Sequence, residues 1–240
     1  MQIARKSLLI TGANRGIGRA LVEEAMRRGA SRVFAGVRGA FRHPDPRVTA
    51  LPLDVTDPKQ IARAAAAVAE LDLLVNNAGI AIFDGLDDPE ILQRHFDVNV
   101  LGIARVTQAF LPLLKRSRGA IVNNLSLAAI APIPATPGYS ASKAAAASMS
   151  QSLRALLAGE GVTVHAAFIG PTDTDMSRGI EVAKATPAAT AQGIFDGLAN
   201  DEEDIFPDPM SRPLAEGWRA GVVKMLESRF RAYVPAGSAA

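Results

Sequence analysis

The stretch KSLLITGANRGIGRALVEEAMRRGA, Lys6 to Ala30, decides the fold. It opens with a short apolar run, Lys6 to Thr11, of strand length. Beyond Gly12 the apolar residues Ile17, Leu21, Val22 and Met26 recur at helical spacing. The reading is strand, glycine turn, helix. Gly12, Gly16 and Gly18 let the chain turn sharply, approach an anion closely and pack the helix on its strand, while free N–H groups at the helix start attract negative charge. The order is G-x-x-x-G-x-G, not the G-x-G-x-x-G of the commonest dinucleotide fingerprint, so a plain strand-to-helix turn explains it about equally well.

Strand and helix patterns alternate outward from this unit along the rest of the chain. Val33 to Val37 is a second strand ending in Arg38. In sheets of this kind an acid there bonds the adenosine 2′-hydroxyl, whereas an arginine accommodates a 2′-phosphate. No acid stands there, and Arg15 lies within reach from the glycine turn. Either arginine alone reads as a surface charge; together they favour NADP(H) over NAD(H), because guanidinium pairs well with phosphate. The segment RVTALPLDVTDP gives a third strand, a turn at Asp54 and a helix start at Asp57-Pro58, with an alanine-rich helix to about Glu70. Asp72 to Asn76 is a fourth strand, followed by the small polar turn Asn77, Ala78, Gly79, with room for a ribose and base. From Pro89 to Lys115 the pattern is helical with one misfit, Asn99, either a kink residue or a buried amide that must be satisfied. Gly119 to Leu125, Val162 to Ile169 and Asp204 to Phe206 read as further strands, Pro213 to Phe230 as a final helix, and 175–192 as a substrate flap of weak periodicity with a short helix. The expectation is an α/β fold: a Rossmann-like doubly wound parallel sheet of about seven strands flanked by helices, in a single domain.

Between the fifth strand and the following helix runs SLAAIAPIPATPGYSASK, Ser126 to Lys143. On a helix, the i, i+4 spacing sets the Tyr139 phenol and the Lys143 ammonium on one face. A neighbouring positive charge moves a phenol pKa from about 10 toward neutrality, as proton transfer to a carbonyl oxygen needs. Alone, such a pair is more often a packed ring and a solvated charge. Ser126 sits at the carboxyl end of its strand, where open parallel sheets bind ligands.

Taken in order, TGANRGIG at 11–18, NNAG at 76–79, Asn99, Ser126, Tyr139-x-x-x-Lys143 and GPTDT at 170–174 resemble the short-chain dehydrogenase/reductase family. The resemblance covers nearly the whole chain. It implies Tyr139 as proton donor, Lys143 as the group that, together with the nicotinamide charge, lowers its pKa and that holds the nicotinamide ribose, Ser126 as hydrogen-bond donor to the substrate oxygen, and Asn99 as the holder of a water linking Lys143 to solvent. It also implies that Gly12, Asn14, Arg15, Gly16 and Ile17 line the phosphates and that Arg38 takes the 2′-phosphate. Asp54 and Val55 would meet the adenine, Asn77, Ala78 and Gly79 the adenosine-side ribose region, and Gly170, Thr172 and Thr174 the carboxamide and nearby phosphate. Ile169 stands where the family usually has proline, and His165 at a common asparagine position; His165 reads as a strand residue with a satisfied ring.

The expected function is an NADPH-dependent carbonyl reductase, reversible as an alcohol dehydrogenase. Its pocket wall would include Ile80, Ile82, Ala128, Ile130, Ile133, Met176 and Ile180, which suits a hydrophobic ketone or aldehyde, although several of these would also fit a core. The alternatives are a non-turning-over NADP(H) sensor or a same-fold epimerase, dehydratase or enoyl reductase. A homodimer or homotetramer is implied by the resemblance, with Ala104, Val106, Phe110, Ala146 and Met149 as either interface or core. The 26 basic and 24 acidic residues are scattered, so no nucleic-acid footprint is expected. No run reaches membrane-spanning length and no targeting segment is visible. With no cysteine and three histidines far apart, a metal site is not expected and a cytoplasmic location is.

Overall fold

The computed structural model describes residues 1–234. Seven parallel strands form one sheet in the order β3-β2-β1-β4-β5-β6-β7. They are β1 (Ser7–Thr11), β2 (Arg32–Val37), β3 (Val48–Pro52), β4 (Leu73–Asn76), β5 (Ala120–Asn124), β6 (Thr163–Ala167) and β7 (Asp204–Ile205). The central strands β1, β4 and β5 are buried along their whole length, whereas the edge strand β3 buries only Leu51. That is why their sequences are continuous apolar runs without alternation: helices cover both faces of a parallel sheet.

The helices are α1 (Gly16–Arg27), α2 (Pro58–Ala67), α3 (Pro89–Phe96), α4 (Gly102–Ser117), α5 (Pro137–Leu157), α6 (Pro187–Ala199), α7 (Ala215–Arg219) and α8 (Val222–Phe230). On one face Leu21, Val22 and Ala25 of α1 and Ile194, Phe195 and Leu198 of α6 pack on Leu8, Ile10, Val75 and Val122. On the other, Ile61 of α2 and Val106, Phe110 and Leu114 of α4 pack on Leu9, Leu74 and Ile121. Burying a side chain such as Phe110 contributes roughly 1.5–3 kcal/mol. Val106, Phe110 and Ala146 are thus core residues; of the five weighed as interface, only Ala104 and Met149 keep any exposure.

Three expectations are corrected. The helix read from Pro89 to Lys115 is α3 and α4 joined by a π-helical turn, Asp97–Leu101, centred on Asn99. The short helix read within the flap is the start of α6, which begins at Pro187, runs on to Ala199 and buries Thr190, Ala191, Ile194 and Phe195, so the flap shrinks to 175–186. The final helix is broken at Ala220–Gly221 into α7 and α8, after a 3-10 turn over Arg212–Leu214.

Candidate active site

All strands being parallel, their carboxyl ends lie on one edge, and the singled-out residues collect there. Gly12 and Gly16 have φ of +66° and +52°, a backbone region other residues rarely adopt. A Cβ on Gly18 would sit 2.1 Å from the Gly12 carbonyl oxygen, so only glycine lets α1 close on the turn. Arg15, the residue before α1, gives no side-chain cap, and the first turn carries no acid. Its N–H groups are left for an anion. Thr174 packs at this end, its methyl 3.1 Å from where a Gly16 Cβ would be. Asn14 and Arg15 are exposed, Ile17 half-buried. Arg15 is turned to Asp175 at 3.1 Å, while Arg38, just beyond β2, is exposed and in no ion pair among the described residues.

The turn after β4 serves the scaffold more than the sequence suggested. The Asn77 and Ala78 N–H groups both donate to Thr11 Oγ1, and Asn77 Nδ2 donates to the Thr11 carbonyl at 2.9 Å. Asn76 faces the opposite way, donating to Thr107 Oγ1 and Asn123 Oδ1. Asp54 is occupied with the Thr56 N–H and hydroxyl, and Val55 is buried against Gly102. The Gly170 N–H donates to Asp208 Oδ2 at 2.7 Å, and a Cβ there would lie 2.5 Å from Asp208 Oδ1. Thr172 is buried and bonded to Thr190, so of the GPTDT residues Thr174 is the one beside the glycine turn. Ile169 is buried and its carbonyl accepts from the Leu127 N–H, holding the strand end in register without proline.

Ser126 starts the 3-10 turn after β5 and accepts from the Ala128 N–H. Tyr139 and Lys143 lie in the first turns of α5, the ammonium 5.7 Å from the phenol ring centroid. Lys143 is 5% exposed and donates to the Asn124 carbonyl at 2.8 Å. Burial lowers its pKa to about 8. Tyr139 keeps an exposed edge, yet burial of the rest pushes its phenol up, the nearby Ser126 hydroxyl acting in the opposite sense. In the chain by itself desolvation sets the direction for the phenol; the lowering that the resemblance implies comes from Lys143 together with the nicotinamide charge.

Asn99 is fully buried and held tightly: Oδ1 accepts from the Ile80 N–H, and Nδ2 donates to the Ile80 carbonyl and to Ser142 Oγ. Both amide protons are used, so any contact with a water falls to oxygen atoms. Oδ1 lies 3.2 Å and Lys143 Nζ 3.8 Å from where a Gly79 Cβ would be, which joins the 77–79 turn to the same centre. Four residues not singled out from the sequence complete it: Thr11, Asn124, Ser142 and Asp208. Asn124 Nδ2 donates to Asn77 Oδ1 at 3.0 Å, while Asn124 Oδ1 is buried without a partner, an acceptor available to a bound group. The doubled asparagine at 123–124 in an otherwise apolar strand was the available signal for it. His165 is paired through both ring nitrogens, with the Glu202 carbonyl and Thr163 Oγ1, as expected of a core histidine.

A cavity of about 610 Å³ lies between α1 and residues 173–188, lined by Gly16, Arg19, Glu23, Thr174 and Asp175 among others. It meets the glycine turn but not Ser126, Tyr139 or Lys143. Among the described residues no His, Asp and Glu cluster could hold a metal, and no helix is long and apolar enough to cross a membrane.

The sequence matches the short chain dehydrogenase family over residues 6–185. It is 37% identical over 181 residues to estradiol 17-beta-dehydrogenase 2 of Mus musculus, a match covering 68% of this chain and 47% of that protein. It is 30% identical over 237 residues to 1-deoxy-11-beta-hydroxypentalenate dehydrogenase of Streptomyces exfoliatus, covering 88% of this chain and 86% of the relative. The chain thus spans about half the length of the mouse enzyme and most of the bacterial one. Among solved structures, a short chain dehydrogenase from Burkholderia cenocepacia J2315 in complex with NADP superimposes with a TM-score of 0.87 at 35% identity, over 95% of this chain and 98% of that one. With the glycine turn, the buried asparagine in its π turn and the Ser126, Tyr139, Lys143 group in place on a matching fold, the chain belongs to the short-chain dehydrogenase family.

Proposed function

We propose that this protein is an NADPH-dependent carbonyl reductase, reversible as an alcohol dehydrogenase, acting on hydrophobic ketones or aldehydes. The observation that carries this reading is the meeting of Ser126, Tyr139 and Lys143 at the carboxyl edge of the sheet, beside Gly79 and the uncapped start of α1. Bound NADPH would supply the hydride. Gly12, Gly16 and Thr174 would hold its phosphates, Arg38 and Arg15 its 2′-phosphate, Gly79 and Lys143 the nicotinamide ribose. Ser126 would stabilise the substrate oxygen as charge develops on it, and Tyr139 would protonate it. The buried, single-bonded Lys143 would supply the positive potential that a burial-raised phenol needs in order to give up its proton.

The hydrophobic substrate class is supported by the loops around Tyr139. Ile130 and Ile133, in the loop that leads into α5, and Met176, Ile180 and Met210, in the segments that follow β6 and β7, are each 40–48% exposed and would give a pocket an apolar rim, whereas Ala128 is buried. Relatives named for an estradiol and for a hydroxypentalenate lean the same way. A cytoplasmic homodimer or homotetramer, paired through the outer faces of α4 and α5, where Leu101 of the π turn before α4 and Leu156 of α5 are exposed, accompanies the reading.

The test is oxidation of NADPH and of NADH against a panel of ketones, aldehydes and β-keto esters, run beside Tyr139→Phe. The expected result is NADPH-selective turnover that falls about 10²-fold or more in the variant. Tight NADPH binding without turnover would favour a sensor, and NADH preference would remove the role given to Arg15 and Arg38.

A further inference from the structure

His95, on α3, is fully buried one side chain away from the catalytic phenol: the two rings meet edge to face with centroids 6.3 Å apart. The Ile82 N–H points at His95 Nε2 at 3.0 Å. A backbone N–H can only donate, so Nε2 must be the bare nitrogen and Nδ1 carries the proton. Nδ1 is buried and has no hydrogen-bond partner of proper geometry; the Ile91 carbonyl one turn back bears on it only weakly. An unpaired buried N–H costs about 1–3 kcal/mol, a cost that points to an acceptor used in another state.

The acceptor at hand is Asp84. A Cβ on Gly138 would stand 3.1 Å from His95 Nδ1 and 3.1 Å from Asp84 Oδ2, so the two atoms flank the residue that precedes Tyr139. Asp84 also takes the Gly138 N–H, at the long distances of 3.3 and 3.4 Å, and α5 has no other side-chain cap. Loop 80–84 carries Ile80 and Ile82 of the pocket wall, and His95 is its anchor to α3. We infer that His95 is a positioning residue that fixes the substrate-side loop 80–84 against the Tyr139 turn, acting as the neutral Nδ1–H tautomer with Asp84 as the acceptor of that hydrogen. The inference rests on Tyr139 being the proton donor.

Burial lowers the pKa of His95 from the ordinary histidine value; Asp84 opposes this and Arg94 adds to it, and Tyr139 is the titratable group facing the ring from α5. Protonation would turn Nε2 into a second donor and expel the Ile82 N–H. Activity should therefore show an acid limb below about pH 6.5 that belongs to His95. With a carbonyl that is turned over, His95→Gln, whose amide oxygen accepts from Ile82 and whose NH₂ reaches Asp84, should keep kcat/KM at neutral pH within about threefold and lose the acid limb. His95→Leu should lose about tenfold in kcat/KM at neutral pH, mainly through KM, as expected for one missing buried hydrogen bond. Nitrogen-15 NMR of the three-histidine protein reads the tautomer independently of turnover. An Nε2–H tautomer, or an unchanged acid limb in His95→Gln, would overturn the assignment. Unimpaired Tyr139→Phe in the same assay would strike the reductase reading and the positioning role that rests on it, whereas the tautomer read by NMR stands or falls separately.

Discussion

Two buried polar clusters are finished in opposite ways. At the amino end of α8, Arg154 donates from Nε to the Val164 carbonyl, from Nη2 to the Glu203 carbonyl and Asp204, and from Nη1 to Glu227. Lys224 bonds Asp204 and Glu227 at 2.8 and 2.6 Å, and the Trp218 indole donates to Asp204. Little hydrogen-bonding capacity is spare, as a structural ion cluster requires. At the carboxyl edge of the sheet the accounting stays open: Lys143 has one bond for three donors, Asn124 Oδ1 none, His95 Nδ1 none. Saturated polar groups hold the C-terminal helices on; of the unsaturated ones, Lys143 and Asn124 face what the protein binds, and His95 faces Asp84.

That contrast is open to attack from both sides. Arg154→Met leaves the buried Asp204 and Glu227 with Lys224 but without the guanidinium between them, and should cost up to about 3–5 kcal/mol in denaturant unfolding, with kcat per folded molecule unchanged. Burial pushes the Asp204 pKa up, but Arg154 and Lys224 outweigh it and hold it below the carboxylate range. A depressed carboxylate adds stability above its unfolded pKa, so the wild-type advantage over Arg154→Met should shrink as pH falls below about 4. Lys143→Met should behave in the reverse manner. Turnover should fall about 10²-fold or more, yet unfolding at neutral pH should be harder by up to about 3 kcal/mol, since a lysine brought from 10.5 to about 8 is charged at a cost in the fold. Here the folded pKa is lowered, so wild-type stability rises from about pH 8 toward 10.5, and the variant's lead should vanish over that window. The smallest effect concerns the exposed Arg15–Asp175 pair: Asp175→Ala should leave stability within about 0.5 kcal/mol while improving NADPH affinity up to about threefold, by freeing the guanidinium. Unchanged affinity would take Arg15 out of the phosphate site.

The fold was legible because strand and helix periods, glycine turns and helix starts agree over most of the chain. Asp57-Pro58 does open α2, its carboxylate accepting from the Lys59 and Gln60 N–H groups. What misled was local. Weak periodicity over 175–192 gave a short helix but hid the length and burial of α6, because a helix buried between α1 and β7 has too much apolar surface to show an amphipathic stripe. Site residues on motifs were readable, but what their atoms do was not: Asn77 and Thr172 spend their polar groups on the scaffold, which depends on neighbours far away in sequence. The residues weighed on α4 stayed open between interface and core for a related cause, since an apolar helix face does not say whether a sheet or a second subunit covers it. His95 and Asn124 carry no motif; their importance lies in atoms left without partners, a property of the folded arrangement alone.

The π-helical turn at Asp97–Leu101 has a consequence for chain length. In it the Gly102 N–H reaches back five residues to the Asp97 carbonyl, one more than an α-helix uses. One surplus residue turns everything on its amino side by about 100° relative to its carboxyl side. The rotational phase of α3, and with it the direction in which His95 looks, is therefore set by counting. Removing one residue between Asp97 and Leu101 would leave composition and polarity almost untouched, yet would swing α3 through more than a quarter of a turn about its axis. This span should be as intolerant of a change in number as the glycine turn is of a change in kind.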